Sequence, residues 1–121
     1  MGENADLVRR TLEFFNARDA EGIVALMDPD GELYPYAIDE SRGEGYHGHD
    51  GLRKYVADVD GLFASFEVEV TEVKDVTEDT VVARGKLHGV LKSGDPLEMD
   101  VGWLWTVRDG KLTRMQAHPA D

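Results

Sequence analysis

The chain has 121 residues, and 25 Asp and Glu against 13 Lys and Arg give it a formal charge of −12. That length predicts one domain over residues 1–121 with a real core, and that charge argues against phosphate backbones and anionic membrane surfaces as partners, so no nucleic acid and no membrane is expected. There are no cysteines, which excludes disulfides and thiol catalysis and fits a cytoplasmic setting. No apolar run reaches the ~18 residues of a membrane span, and no signal-peptide core opens the chain.

Taken in order, Asn4 is placed to cap a helix over residues 5–18, with Val8, Leu12 and Phe15 as its apolar stripe and Leu7 and Phe14 widening it. Asp19 can cap a second, short helix through Ile23, Val24, Leu26 and Met27, which Pro29, Asp30 and Gly31 end. Leu33 to Tyr36 reads as a short strand, with Pro35 marking an edge or an irregular end. Residues 37–48 form a polar, glycine-rich loop, a lid candidate at a cavity mouth. A third helix follows, with Leu52, Tyr55, Val56 and Val59 on one side and Asp60-Gly61 loosening its end.

Beyond Gly61 the period changes from 3.6 to 2. Phe66, Val68 and Val70 alternate with Glu67, Glu69 and Thr71, and turns at 77–80 and 93–96 separate this strand from two more. Met99, Val101, Trp103, Trp105 and Val107 share one side of the second of these, and Asp109-Gly110 supplies the positive-φ positions of a tight hairpin into the last strand. Helices first and antiparallel strands afterwards predict an α+β fold, with three N-terminal helices on the concave face of a strongly curved, mixed or antiparallel sheet. A cone with an aromatic wall is a ligand pocket by default, although tryptophans so placed serve equally well as solid core.

The segments L-V-R-R-T-L-E-F-F-N-A-R-D-A-E-G-I-V-A-L-M-D-P-D at 7–30, G-Y-H-G-H-D-G-L-R-K-Y at 45–55 and W-T-V-R-D-G-K-L at 105–112 together resemble the nuclear transport factor 2-like superfamily, on its SnoaL-like (polyketide cyclase-like) branch. The resemblance implies the cone and, by family habit, a homodimer through the convex side of the sheet. It leaves activity open, because this fold hosts isomerases, cyclases, dehydratases, epoxide hydrolases and non-catalytic binders. Ketosteroid isomerases, similar over the first 40 residues, need a helix-1 tyrosine, a carboxylate base and an acid donor where this chain has Thr11, Pro35 and Trp103. Limonene-epoxide-hydrolase-like enzymes need an Arg-x-Asp on a central strand, which residues 81–107 lack, and an acid on the last strand, where Met115, Gln116 and Ala117 stand.

Candidate residues remain. The catalytic candidates are His88, Arg84 and Tyr36. His88 would be a general base and Arg84 an anion anchor if the set Arg84, Lys86 and His88 faces the pocket, as family alignment places it. Periodicity turns that set outward instead, opposite Ala83, Gly85, Leu87 and Gly89, unless a β-bulge inverts it. By the same parity Leu112, Arg114, Gln116 and His118 face away from Thr113, Met115 and Ala117. His47 and His49 have a chelating spacing but lack a third ligand, so no metal and no cofactor is expected. The predicted pocket comprises Phe15, Leu33, Tyr55, Val101, Trp103, Trp105 and Met115. Its expected partner is an apolar, ring-shaped small molecule; the alternative is an isomerase, cyclase or dehydratase-type enzyme using a His or Tyr acid–base group.

Overall fold

The computed structural model describes residues 2–35 and 45–119. Tyr36 and residues 37–44 of the polar loop therefore lie outside the described residues.

Helix α1 spans Glu3–Asn16 and buries Ala5, Leu7, Val8, Thr11, Leu12 and Phe15. Its N-terminus corrects the expected Asn4 cap. Gly2 makes the entry turn at φ 82° and accepts the Asp6 N–H, while Asn4, already helical, donates its amide to the Glu78 carbonyl at 2.8 Å. At the other end Arg18 takes φ 58°, and the Asp19 side chain caps α2 (Ala20–Val24) by accepting the Gly22 N–H at 3.0 Å.

Strand β1 spans Met27–Tyr34, starting six residues earlier than the sequence predicts and running through Pro29. The register explains this. Met27 faces Leu112 and Glu32 faces Arg114 on β6, so residues 28–31 bulge out between two ladder positions and Pro29 is not asked for a hydrogen bond. The last residues of the polar loop also have regular structure: Tyr46–His47 form β2, which pairs with β1, and α3 begins at Gly48. Helix α3 runs Gly48–Leu62, burying Leu52, Val56 and Val59, and passes without a loosened end into β3, Phe63–Asp75.

Strands β4 (Thr80–Leu91), β5 (Pro96–Arg108) and β6 (Lys111–Pro119) complete a curved, open sheet in the order β2-β1-β6-β5-β4-β3. All neighbours are antiparallel except β1 and β6, which are parallel, so the sheet is mixed. Asp109 (φ 52°) and Gly110 (φ 74°) form the expected tight turn between β5 and β6. Bulges bend the sheet. Between Val70 and Glu72 the extra residue is Thr71, and the backbones close so tightly that a Cβ on Gly85 would stand 2.1 Å from the Glu69 carbonyl oxygen.

Along β4 and β5 the burial follows period two: Val81, Ala83 and Leu87 and then Val101, Trp103, Trp105 and Val107 are buried, while Arg84, Lys86 and Leu104 are exposed. On β6 strict parity fails once. Thr106 pairs with Arg114 but Val107 pairs with Leu112, so Thr113 is the extra residue, and Leu112 is buried on the same side as Met115 and Ala117. The three helices cover this apolar side.

The outer edge of β3 is closed by the end of α1. The Asn16 amide donates to the Val68 carbonyl and accepts the Val68 N–H, both at 2.8 Å. The Arg18 guanidinium donates to the Phe66 carbonyl, to the Phe15 carbonyl at 2.7 Å and to Asp60 at 3.0 Å, lying over the Phe15 and Phe66 rings.

Candidate functional site

Between helices and sheet lies a cavity lined by Thr11, Leu12 and Phe15 of α1, Ile23 of α2, Leu52 and Tyr55 of α3, and Met27, Leu33, Phe66, Val68, Leu87, Val101, Trp103, Trp105, Leu112, Met115 and Ala117 of the strands, with Pro35 after β1. All seven residues of the predicted pocket are in this wall. The rest are not singled out by the sequence, although inward parity already marks Leu87 and Ala117; the bulge at Thr113 hides Leu112.

The enclosed part leaves about 50 Å³ open to the centre of a water-sized sphere, and all atom-free space out through the mouth comes to about 650 Å³. The first figure decides what fits within the walls. It is about a third of the ~150 Å³ of an apolar cavity that takes up benzene. Within the walls there is room for only part of a ring, the rest lying towards the open mouth.

The chemistry of the wall is narrow. Among the described residues that line it, none is Asp, Glu, His, Lys or Arg. Its polar side-chain groups are the Thr11 hydroxyl, the Tyr55 phenol and two indole N–H groups. Thr11 is buried and donates to the Leu7 carbonyl at 2.8 Å, one turn back along its own helix. Tyr55 stacks on Phe15, with centroids 5.4 Å apart and planes at 12°, and leans on Tyr46 at 5.2 Å. Although only half-buried by area, its phenol is sufficiently enclosed that desolvation, and after it the Tyr46 phenol, pushes its pKa well above the ordinary tyrosine value. It therefore holds its proton at neutral pH and can donate it, but offers no phenolate as a base. Trp105 Nε1 is buried and has no hydrogen-bond partner among the described residues.

The other sequence candidates stand elsewhere. Arg84 and Lys86 are exposed on the outer face of β4 and His88 is half-exposed beside them. His88 Nε2 lies 2.8 Å from Glu69 and Nδ1 lies 3.3 Å from Glu98. Only the imidazolium can donate to both carboxylates, and the bond to Glu69 first of all holds its pKa above the ordinary histidine value. The neighbours of Lys86 across the sheet are Glu69 and Asp100, and that of His88 on β5 is Glu98. The basic stripe of β4 thus lies between two acidic strands, an arrangement that cross-strand pairing accounts for without substrate. His49 Nε2 donates to the Met27 carbonyl at 2.8 Å, and His47 Nδ1 lies 3.8 Å from Glu32. Among the described residues no three side chains converge as a metal site, and no helix is long and apolar enough to cross a membrane.

A family model described as a SnoaL-like domain matches residues 8–115. Comparison with proteins of curated function gives no match. Among solved structures, an NTF2-like protein of unknown function from Burkholderia pseudomallei superposes with a TM-score of 0.84 at 23% identity, covering 99% of this chain and 92% of that one. TerC co-crystallised with polyporic acid gives 0.83 at 28% identity, over 98% and 92% of the two chains. A loop-truncation variant of IdmH gives 0.75 at 26% identity, over 94% and 90%.

Proposed function

The chain belongs to the SnoaL-like domain family, and we propose that this member is a pocket protein that binds a compact, apolar, ring-shaped small molecule between its helices and the tryptophan face of its sheet. The observation that carries the reading is the wall: aromatic and aliphatic, with no Asp, Glu, His, Lys or Arg among the described residues that line it. Such a wall favours transfer of a ring from water by roughly 25 cal/mol per Å² of apolar surface buried. Stacking on a tryptophan adds ~0.5–1.5 kcal/mol, and Met115 lets the wall adapt. The solved TerC complex makes polyporic acid a natural first probe, with indane as a neutral hydrocarbon beside it. Nitrogen–proton correlation spectra titrated with either probe should show saturable shifts of the indole signals. Trp103→Ala should weaken indane binding about tenfold or more, while costing less than the ~3–5 kcal/mol typical of a fully packed tryptophan, because part of the ring borders open space. A protein that binds neither probe, or unfolds on Trp103→Ala, would overturn the reading.

One observation favours a second reading, a small-molecule isomerase, cyclase or dehydratase. Tyr55 places a phenol in the wall, a group that can serve as a general acid. The described lining residues supply no matching base, which is why binding is preferred. A turnover assay in which Tyr55→Phe loses activity with the fold intact would reverse that preference.

For assembly, the homodimer through the convex face is supported by Leu104, which is 39% exposed with the half-buried Thr106 beside it, while Gly102, expected in the same patch, is buried against the His118 ring. Light scattering at high micromolar concentration should give twice the 13.5 kDa chain mass, and Leu104→Lys should restore the single-chain value. A native protein that stays at the chain mass would remove the proposal.

A further inference from the structure

The cavity is not closed equally firmly on all sides. Its sheet side is strand bonded to strand, but its flank between α1 and β3 is closed by side chains. Two pins hold that flank, one near each end of the helix. Asn4 donates to the Glu78 carbonyl, and Asn16 exchanges two hydrogen bonds with Val68. Between Asn4 and Asn16, no hydrogen bond or ion pair joins the helix to the strand among the described residues. Outside this stretch lies a groove, with about 290 Å³ open to the centre of a water-sized sphere. Arg9 and Glu13 border it on α1, and Val70, Thr71 and Glu72 on β3. Those strand residues form the bulge, where β3 bends, and β3 has no further strand beyond it. Leu12 and Val68 border the groove and line the cavity as well, each 5% exposed. A single layer of apolar side chains thus separates the cavity from the groove.

We infer that the seam between α1 and β3 is a second passage into the cavity, with Leu12 and Val68 as its gate and the Asn16 amide as its latch. The passage serves the pocket read above and rests on that reading, but it holds for any occupant. Two movements open such a seam. Leu12 can swing towards the groove, which has room for it and sets no hydrogen bond against the motion. Alternatively β3 can part from the helix, and this is what the two bonds from Asn16 to Val68 oppose. Val68 is the fixed half of the gate: its β-branched side chain is stiff, and on its other side the strand is paired, facing Leu87 on β4. A path through the sheet would have to break such strand pairing, whereas the seam opens by local motion that leaves the sheet whole. Arg9, Glu13 and Glu72 at the outer lip are exposed and without ion pairs among the described residues, so no charge pair bars the way. Such a passage admits water and small apolar molecules, and lets the cavity exchange its content while its mouth is filled.

Xenon, a single apolar atom that enters dry cavities, makes the test, and saturation-transfer xenon spectra give its lifetime in the protein. Asn16 borders the groove and is not among the cavity's lining residues, so Asn16→Ala removes the latch without touching the guest. The bound lifetime should shorten about tenfold while the affinity changes less than about twofold, because a gate speeds entry and exit alike. Val70 also borders the groove alone. Val70→Phe sets a ring over the outer lip and should lengthen the lifetime several-fold, in the native background and in Asn16→Ala. If xenon binds and its lifetime ignores both substitutions, the second passage is overturned while the pocket stands. A lifetime that shortens in Asn16→Ala only in step with a loss of affinity overturns it too, since entry is then no faster. If xenon moves neither the Met115 nor the Ala117 methyl signal, the cavity is closed to the smallest apolar guest, and the pocket reading falls together with the passage. Should Asn16→Ala fail to fold, Val70→Phe decides: an unchanged lifetime overturns the proposal.

Discussion

The two faces of strand β4 carry neighbouring residues into opposite surroundings. On the inner face Val81 and Ala83 are wholly buried and Leu87 nearly so; on the outer face Arg84 and Lys86 are exposed and His88 lies between two glutamates. Titratable groups on both faces depart from their ordinary pKa values, but for unrelated reasons. Tyr55, against the inner side, is moved by loss of water; His88 is moved by hydrogen bonds to carboxylates that water also reaches. A shifted pKa alone is therefore a poor guide to the functional side of this sheet, and the composition of the surrounding wall is the better one.

The largest effect that would test this contrast comes from adjacent positions. Ala83→Asp places an unpaired carboxylate at a fully buried site, and thermal or urea unfolding should show a loss of several kcal/mol or no folded protein. Arg84→Gln, one residue on, should change stability by no more than ~0.5 kcal/mol. Equal effects at the two positions would break the comparison.

A smaller effect sharpens it on the inner side. Phenolate absorbance on raising the pH should show a tyrosine that does not ionise through the ordinary range near ~10 and is missing in Tyr55→Phe. Because its folded pKa lies above the unfolded one, Tyr55 contributes stability that is complete below pH ~10 and is lost as pH rises towards the folded value. A native protein whose four tyrosines all titrate normally would contradict the enclosed wall.

The smallest effect lies on the outer side. His88 also has its folded pKa raised, so its contribution is complete below pH ~6.5 and declines as pH rises through the folded value. His88→Gln should flatten the stability profile in that range and leave indane binding unchanged. Loss of probe binding on this substitution would tie the outer face to the cavity and remove the distinction.

Period two makes the two faces of β4 and β5 legible from residue order, because side-chain direction on a regular strand is set by the backbone. Where the backbone departs from regularity, the same counting misleads. Parity turns Leu112 outward because the bulge at Thr113 leaves no mark in the pattern, and Met27 continues the apolar run of α2 although it opens β1. The seven pocket residues are legible because large apolar side chains at inward positions must meet. The orphaned Trp105 N–H is not, since whether a donor is satisfied depends on atoms far away in sequence. Tyr36, the remaining catalytic candidate, lies outside the described residues.

The double hydrogen bond between Asn16 and Val68 bears on how the protein behaves at high concentration. Strand β3 ends the sheet, and its sequence F-A-S-F-E-V-E-V alternates in the way that recruits further strands. A side-chain amide that gives one hydrogen and takes one presents to Val68 what a neighbouring peptide group would, and Arg18 occupies the Phe66 carbonyl two residues before it. At Phe66 and Val68 the edge is thus already taken by groups that cannot propagate a ladder. A single polar side chain at a helix end thus occupies a stretch of sheet edge that would otherwise be open to a further strand.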